Sequence, residues 1–193
     1  MSSEPPPLTA GPRLAGHDGD LEIFVADEQD AVDVDTSRYS EMARFVLERE
    51  GVRGDVEFAL VFVDESSMAN LNEAHMGSEG PTDVLAFPID DELFQTGRSP
   101  DGASRRPAQR DPDGQRGPLL LGDVVVCPAV AASQAGENAS SYPGHDGSLQ
   151  AEIDLLVVHG ILHVLGHDHA AADEMEVMQR AEREHLSAFS GSH

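Results

Sequence analysis

One stretch constrains this chain more than any other: His159-Gly-Ile-Leu-His163-Val-Leu-Gly166-His167-Asp168-His169, with four histidines in eleven residues of an otherwise apolar segment. The run from Leu155 to Leu165 is broken only by His159, Gly160 and His163. It is too short and too polar to span a bilayer. Its apolar residues lie on nearly all sides of a helix, so the pattern predicts a helix over about 148–165 buried inside the domain. Histidines four apart on a helix stand one turn above each other on the same face, where both imidazoles can reach one ion. Gly166 can take the left-handed conformation that ends a helix, and the reversing chain then offers His169 as a third ligand. Leaving several buried imidazoles unpartnered would cost on the order of 1–3 kcal/mol for each unmet polar group. The pattern therefore predicts a transition-metal site on His159, His163 and His169. Three nitrogens on a tetrahedral ion leave a fourth position for water, as in catalytic rather than structural zinc sites. Three imidazoles suit zinc, nickel or copper by affinity. His167 is expected at the solvent side or pocket rim, and Asp168 is expected to orient an imidazole rather than to act as a general base.

The rest of the chain reads as a scaffold for this helix. Residues 1–20, rich in Pro, Gly and Ser, are expected to form a disordered tail. Leu21–Val25 is a strand candidate. Asp35 or Thr36 can cap a helix with Tyr39, Met42, Ala43 and Val46 on one face, and Gly51 supplies its stop. Val56, Phe58, Leu60 and Phe62 alternate along a strand, and Asp64 is placed to cap a helix bearing Met68, Leu71 and His75. Thr82–Phe87 is a strand closed by Pro88, and residues 119–126 form another. Helices follow from Pro128 to about Ser141 and from about Ala171 to Phe189. This order gives an α+β single domain at 21–190: a mixed sheet of about four strands packed with about five helices, the metal site lying on the buried helix and its following turn.

Between about 90 and 118 there is almost nothing to bury, and a loop this long in a compact domain is usually functional or disordered. Arg98, Arg105, Arg106, Arg110 and Arg116 fall within it and can contact phosphate groups by counterion release, or the segment is a solvated insertion with no partner. Asp83 and Asp123 lie near strand ends, where they either line a pocket or serve turn and cap hydrogen bonds; Thr82 and Phe87 are expected to be structural.

Charge sets a boundary. The chain carries 36 acidic residues against 12 basic ones, every basic residue being arginine, for a net charge of −24. Taken alone, that field repels polyanions and argues against a nucleic-acid partner. The single cysteine, Cys127, excludes an intramolecular disulfide and fits a reducing cytoplasm. The N-terminus has neither a basic start nor an apolar stretch, so no secretory signal is expected there.

The spacing H-x-x-x-H-x-x-G-x-x-H equals that of the metzincin peptidases, but those have a glutamate as general base where this chain has Gly160. A metallopeptidase reading is weak for that reason. The same eleven residues resemble the H-G-x-L-H-x-x-G-[YH]-D-H motif of the bacterial YbeY family, metal-dependent endoribonucleases of ribosomal RNA maturation. Two further blocks agree in order: Leu71-Asn72 followed by Gly80–Pro88, and Leu121–Val126. The resemblance spans about 21–190. It implies a cytoplasmic protein with one Zn²⁺ on His159, His163 and His169, acting on single-stranded RNA in small-subunit rRNA 3′-end maturation and ribosome quality control. The small ribosomal subunit is then a partner, and neither DNA nor membrane is expected. Many family members carry a Tyr-Arg pair before the Pro-Thr-Asp block; this chain has His75 and Met76 there, so that phosphate-holding role is not carried over. The competing reading is a non-catalytic ribosome assembly factor in which the metal staples the last two helices.

Overall fold

A computed structural model describes residues 20–89, 118–167 and 172–191. The expected N-terminal tail, the Arg-bearing insertion, Asp168 and His169 lie outside the described residues. The elements run β1 (Leu21–Glu28), α1 (Thr36–Arg49), β2 (Val56–Val63), α2 (Glu65–Met76), β3 (Val84–Pro88), β4 (Leu119–Val126), α3 (Pro128–Ser141), α4 (Leu149–Val164) and α5 (Ala172–Ser190). The strands form one sheet in the order β1-β2-β4-β3, with β1, β2 and β4 parallel and β3 antiparallel to β4. This is the mixed four-stranded α+β arrangement expected from the sequence.

Local chemistry explains most boundaries. Asp35 caps α1, its carboxylate accepting from the Ser37 and Arg38 amides at 3.0 and 3.1 Å, and Asp64 caps α2 through the Ser67 amide at 2.7 Å. Two differences from expectation have physical reasons. β1 continues to Glu28, three polar-leaning residues past Val25, because parallel pairing with Val61–Val63 extends it. β3 begins at Val84 rather than Thr82, because the Asp83 carboxylate accepts from the Thr82 hydroxyl (3.0 Å) and the Val84 amide (2.8 Å), folding that corner on itself. Asp83 thus makes the turn-type bonds that its position permitted. Gly122 on β4 has no room for a side chain, since a Cβ there would overlap the Phe87 carbonyl oxygen of β3.

Helix α4 is the centre of the molecule and touches α1, β3, β4, α3 and α5. Val157, Ile161, Leu162 and Val164 have no solvent exposure. They share one core with Val56, Phe58, Leu60 and Phe62 of β2, which are also buried. Each such side chain contributes about 1.5–3 kcal/mol by leaving water. Polar groups fix the register. Arg38 of α1 forks onto Asp154 of α4 with bonds of 2.6 and 2.7 Å, and Gln150 donates to the same carboxylate and to the Tyr39 hydroxyl. Ahead of α4, His145 lies 3.0 Å from the fully buried carboxylate of Glu152. A buried carboxylate moved away from its partner is strongly destabilising, so these contacts oppose any sliding of α4.

Gly160 allows a close helix–sheet approach in the core. A Cβ there would sit 2.5 Å from a methyl of Val124, itself fully buried in β4. The position that bears a glutamate in metzincins is therefore a helix–sheet contact with no space for a side chain. Gly160→Ala is expected to destabilise the fold by roughly 1–3 kcal/mol through overpacking, read as a lowered urea midpoint; an unchanged midpoint would contradict this packing account.

Candidate metal centre

The register of α4 sets His159 and His163 on one face, their ring centroids 4.6 Å apart and their planes at 79°. The two Nε2 atoms face each other at 3.1 Å. Two imidazole nitrogens bound to one tetrahedral ion at the usual zinc distance lie about 3.3 Å apart, so the pair already has nearly the spacing of a chelate.

His159 is oriented from behind. Its Nδ1 lies 2.8 Å from Oε1 of Glu182 on α5, a carboxylate only 3% exposed. A carboxylate accepts and does not donate, so the His159 proton resides on Nδ1 and the Nε2 lone pair is aimed at the space shared with His163. The other Glu182 oxygen accepts from the Tyr142 hydroxyl at 2.8 Å. Burial, reinforced by the adjacent Glu182 charge, pushes the Tyr142 phenol well above its ordinary value, so it keeps its proton and stays a donor. The Tyr142–Glu182–His159 chain is the carboxylate–histidine arrangement that raises ligand basicity and fixes the tautomer in metal sites.

The end of α4 turns as the sequence required. Gly166 has φ +87°. Its amide bonds the His163 carbonyl at 2.9 Å and the His167 amide bonds the Leu162 carbonyl at 3.0 Å, the double closure of a glycine-terminated helix. Beyond it, His167 is 27% exposed in its side chain and its Nε2 lies 3.6 Å from Glu50. The other Glu50 oxygen accepts from Nε2 of the buried His185 at 2.6 Å. His167 and His185 together hold the Glu50 carboxyl down to about 2, overcoming the opposing effect of its burial. Glu50, at the end of α1, thereby ties the turn after α4 to α5.

The structure brings together His159 and His163 and places His167 against Glu50; Asp168 and His169 lie outside the described residues. Among the described residues, no three His, Cys, Asp or Glu side chains converge on one ion position. Asp123 is half-buried, and desolvation raises its carboxyl above the ordinary range. Met76 is exposed at the end of α2, and His75 stacks edge-on against Phe87 at 4.9 Å.

Sequence reasoning missed Glu182, Tyr142, Glu50 and His185. Only Glu182 left a trace: it falls on the apolar face of α5 with the buried Met178, His185 and Phe189, where a carboxylate needs a partner. Glu182→Gln is expected to weaken zinc binding by about 10–100-fold, and Tyr142→Phe by less, in competition titrations against a chromophoric chelator. Equal affinity in wild type and Glu182→Gln would remove the carboxylate from the site.

Comparison with known proteins shows the family. The family model for "Endoribonuclease YbeY" matches residues 24–190. The chain is 42% identical to the "Endoribonuclease YbeY" of Acidothermus cellulolyticus, over 88% of this chain and 92% of the relative. It is likewise 42% identical to that of Thermobifida fusca, over 89% and 96%. The solution structure of TM1509 from Thermotoga maritima is 21% identical with a TM-score of 0.48, covering 89% of this chain and 93% of that one. With the motif, the extent of the match and the identity in agreement, the chain belongs to the YbeY endoribonuclease family.

Proposed function

We propose that this protein is a zinc-dependent endoribonuclease that cuts single-stranded RNA in the cytoplasm, acting on small-subunit ribosomal RNA near its 3′ end and in ribosome quality control. The observation that carries the metal dependence is the 3.1 Å approach of the His159 and His163 Nε2 atoms, with the His159 tautomer set by Glu182. The residues that would hold zinc are His159, His163 and His169. The metal, when bound, supplies Lewis acidity that polarises a phosphodiester and makes a water more acidic.

The chain's own groups do the rest. Three neutral imidazoles add no charge, so the centre keeps a local positive field for a phosphodiester in a chain whose net charge is −24. Glu182 keeps the Nδ1 proton of His159 in place, which leaves Nε2 basic. Gly160 offers no carboxylate to serve as the metzincin general base, and Val124 occupies the space one would need. Asp168, adjacent in sequence to His169, is assigned to orienting an imidazole. Among the described residues, no helix is long and apolar enough to cross a membrane, in keeping with a cytoplasmic substrate.

The reading is tested with purified wild type and His163→Ala, by elemental analysis followed by cleavage of an unstructured RNA oligomer. Wild type is expected to carry about one zinc per chain and to cleave; His163→Ala is expected to lose both properties. A zinc-replete wild type that binds small ribosomal subunits yet leaves the oligomer intact would instead support the non-catalytic assembly factor.

A further inference from the structure

Six arginines fall within the described residues, and they divide into two groups. Arg38 is spent on Asp154. Arg44 donates to the Leu21 carbonyl at 2.8 Å, and Arg53 donates to the Glu48 and Val52 carbonyls at 2.7 and 2.6 Å. Those three guanidiniums hold the fold. Arg49, Arg180 and Arg183 form no salt bridge among the described residues. All three line one open groove of about 450 Å³ where the end of α1 meets α5, together with Glu184, Ser187 and Ala188. Arg49 is braced against the Phe45 ring at 5.4 Å, which restricts the guanidinium without neutralising it.

The sign of this groove is opposite to that of the chain. With 36 acidic residues against 12 basic ones, most of the surface repels a polyanion, whereas here three guanidiniums face one carboxylate. Two of its arginines are next in the chain to residues that bond the histidines, although the groove itself lies on the exposed side of α5. Arg49 precedes Glu50, which bonds His185 and lies beside His167; Arg183 follows Glu182, which bonds His159. Guanidinium matches phosphate oxygens with paired, directional N–H donors, and a serine hydroxyl adds a further donor.

We propose that this groove is a docking track for the sugar–phosphate backbone of single-stranded RNA, with Arg49, Arg180 and Arg183 on phosphates and Ser187 donating to the strand. The proposal rests on the endoribonuclease reading above and assigns where the strand's backbone lies on this chain.

The test uses the zinc-loaded full chain and a fluorescent unstructured RNA oligomer, with binding followed by anisotropy between about 50 and 200 mM salt. It compares wild type with Arg49→Ala/Arg180→Ala/Arg183→Ala and with the corresponding triple lysine variant, zinc content and thermal midpoint being checked for each. Each single-strand phosphate contact contributes about 0.7 to the slope of log affinity against log salt. The alanine variant is therefore expected to lose about 2 from that slope, and the lysine variant to keep most of it. If the alanine variant matches a wild type that binds, the strand lies elsewhere and the groove assignment is wrong. A loss that lysine fails to rescue, or one with the slope unchanged, also overturns it, because the effect is then not one of charge. Failure of the wild type itself to bind the oligomer overturns the endoribonuclease reading, and this proposal with it.

Discussion

The site depends on one buried carboxylate. Glu182 sits on the apolar face of α5, where an ion without partners would cost several kcal/mol in lost hydration. It finds two donors, the Nδ1–H of His159 and the hydroxyl of Tyr142, each at 2.8 Å. These bonds offset the cost of burial and at the same time determine which nitrogen of His159 is left basic. One pairing thus joins the segment after α3, the centre of α4 and the middle of α5, and leaves the His159 Nε2 lone pair facing His163. Stability and the orientation of His159 are coupled through it, since whatever loosens α5 also frees the imidazole to rotate.

Helix α4 meets this demand for precision because it cannot move. Its apolar residues are buried on all sides, while its polar ones are held by other elements: Glu152 by His145, Asp154 by Arg38, Tyr39 and Gln150, and His159 by Glu182. Gly160 lets the helix lie directly on Val124. A slide of one residue would bury charges away from their partners and drive a side chain into β4. The glycine that closes the helix and the Glu50 contact to His167 carry the same constraint into the turn. His159 and His163 rest on a helix held on several sides, as a site with ångström tolerances requires.

What was legible in the sequence was what local chemistry determines. Asp35 and Asp64 announce helix starts and Gly51 and Gly166 helix ends, while the alternation of Val56, Phe58, Leu60 and Phe62 marks a strand. The histidine pair was legible for the same reason, since a four-residue spacing on a helix is a distance in space. The insertion of β4 between β2 and β3 was not, because strand order is decided by contacts far apart in the chain. Nor was the extension of β1 to Glu28, where pairing overrides an unpromising composition. The partners of the centre were hidden likewise: Glu182 lies 23 residues from His159 and 40 from Tyr142, and Glu50 lies 135 from His185. No periodicity in the sequence reports such pairs.

The strongly acidic composition and an RNA-directed family are reconciled if positive charge is local rather than global. Most of the surface keeps polyanions away, and the groove between α1 and α5, lined by three arginines and one glutamate, is where the sign changes. The account stands on imidazoles binding a single ion, and X-ray absorption at the zinc edge of the zinc-loaded chain measures that directly. The expected spectrum shows three imidazole nitrogens at about 2.0–2.1 Å with light-atom coordination at the remaining position. A sulfur scatterer, a single imidazole, or a chain that retains no zinc after dialysis would contradict it.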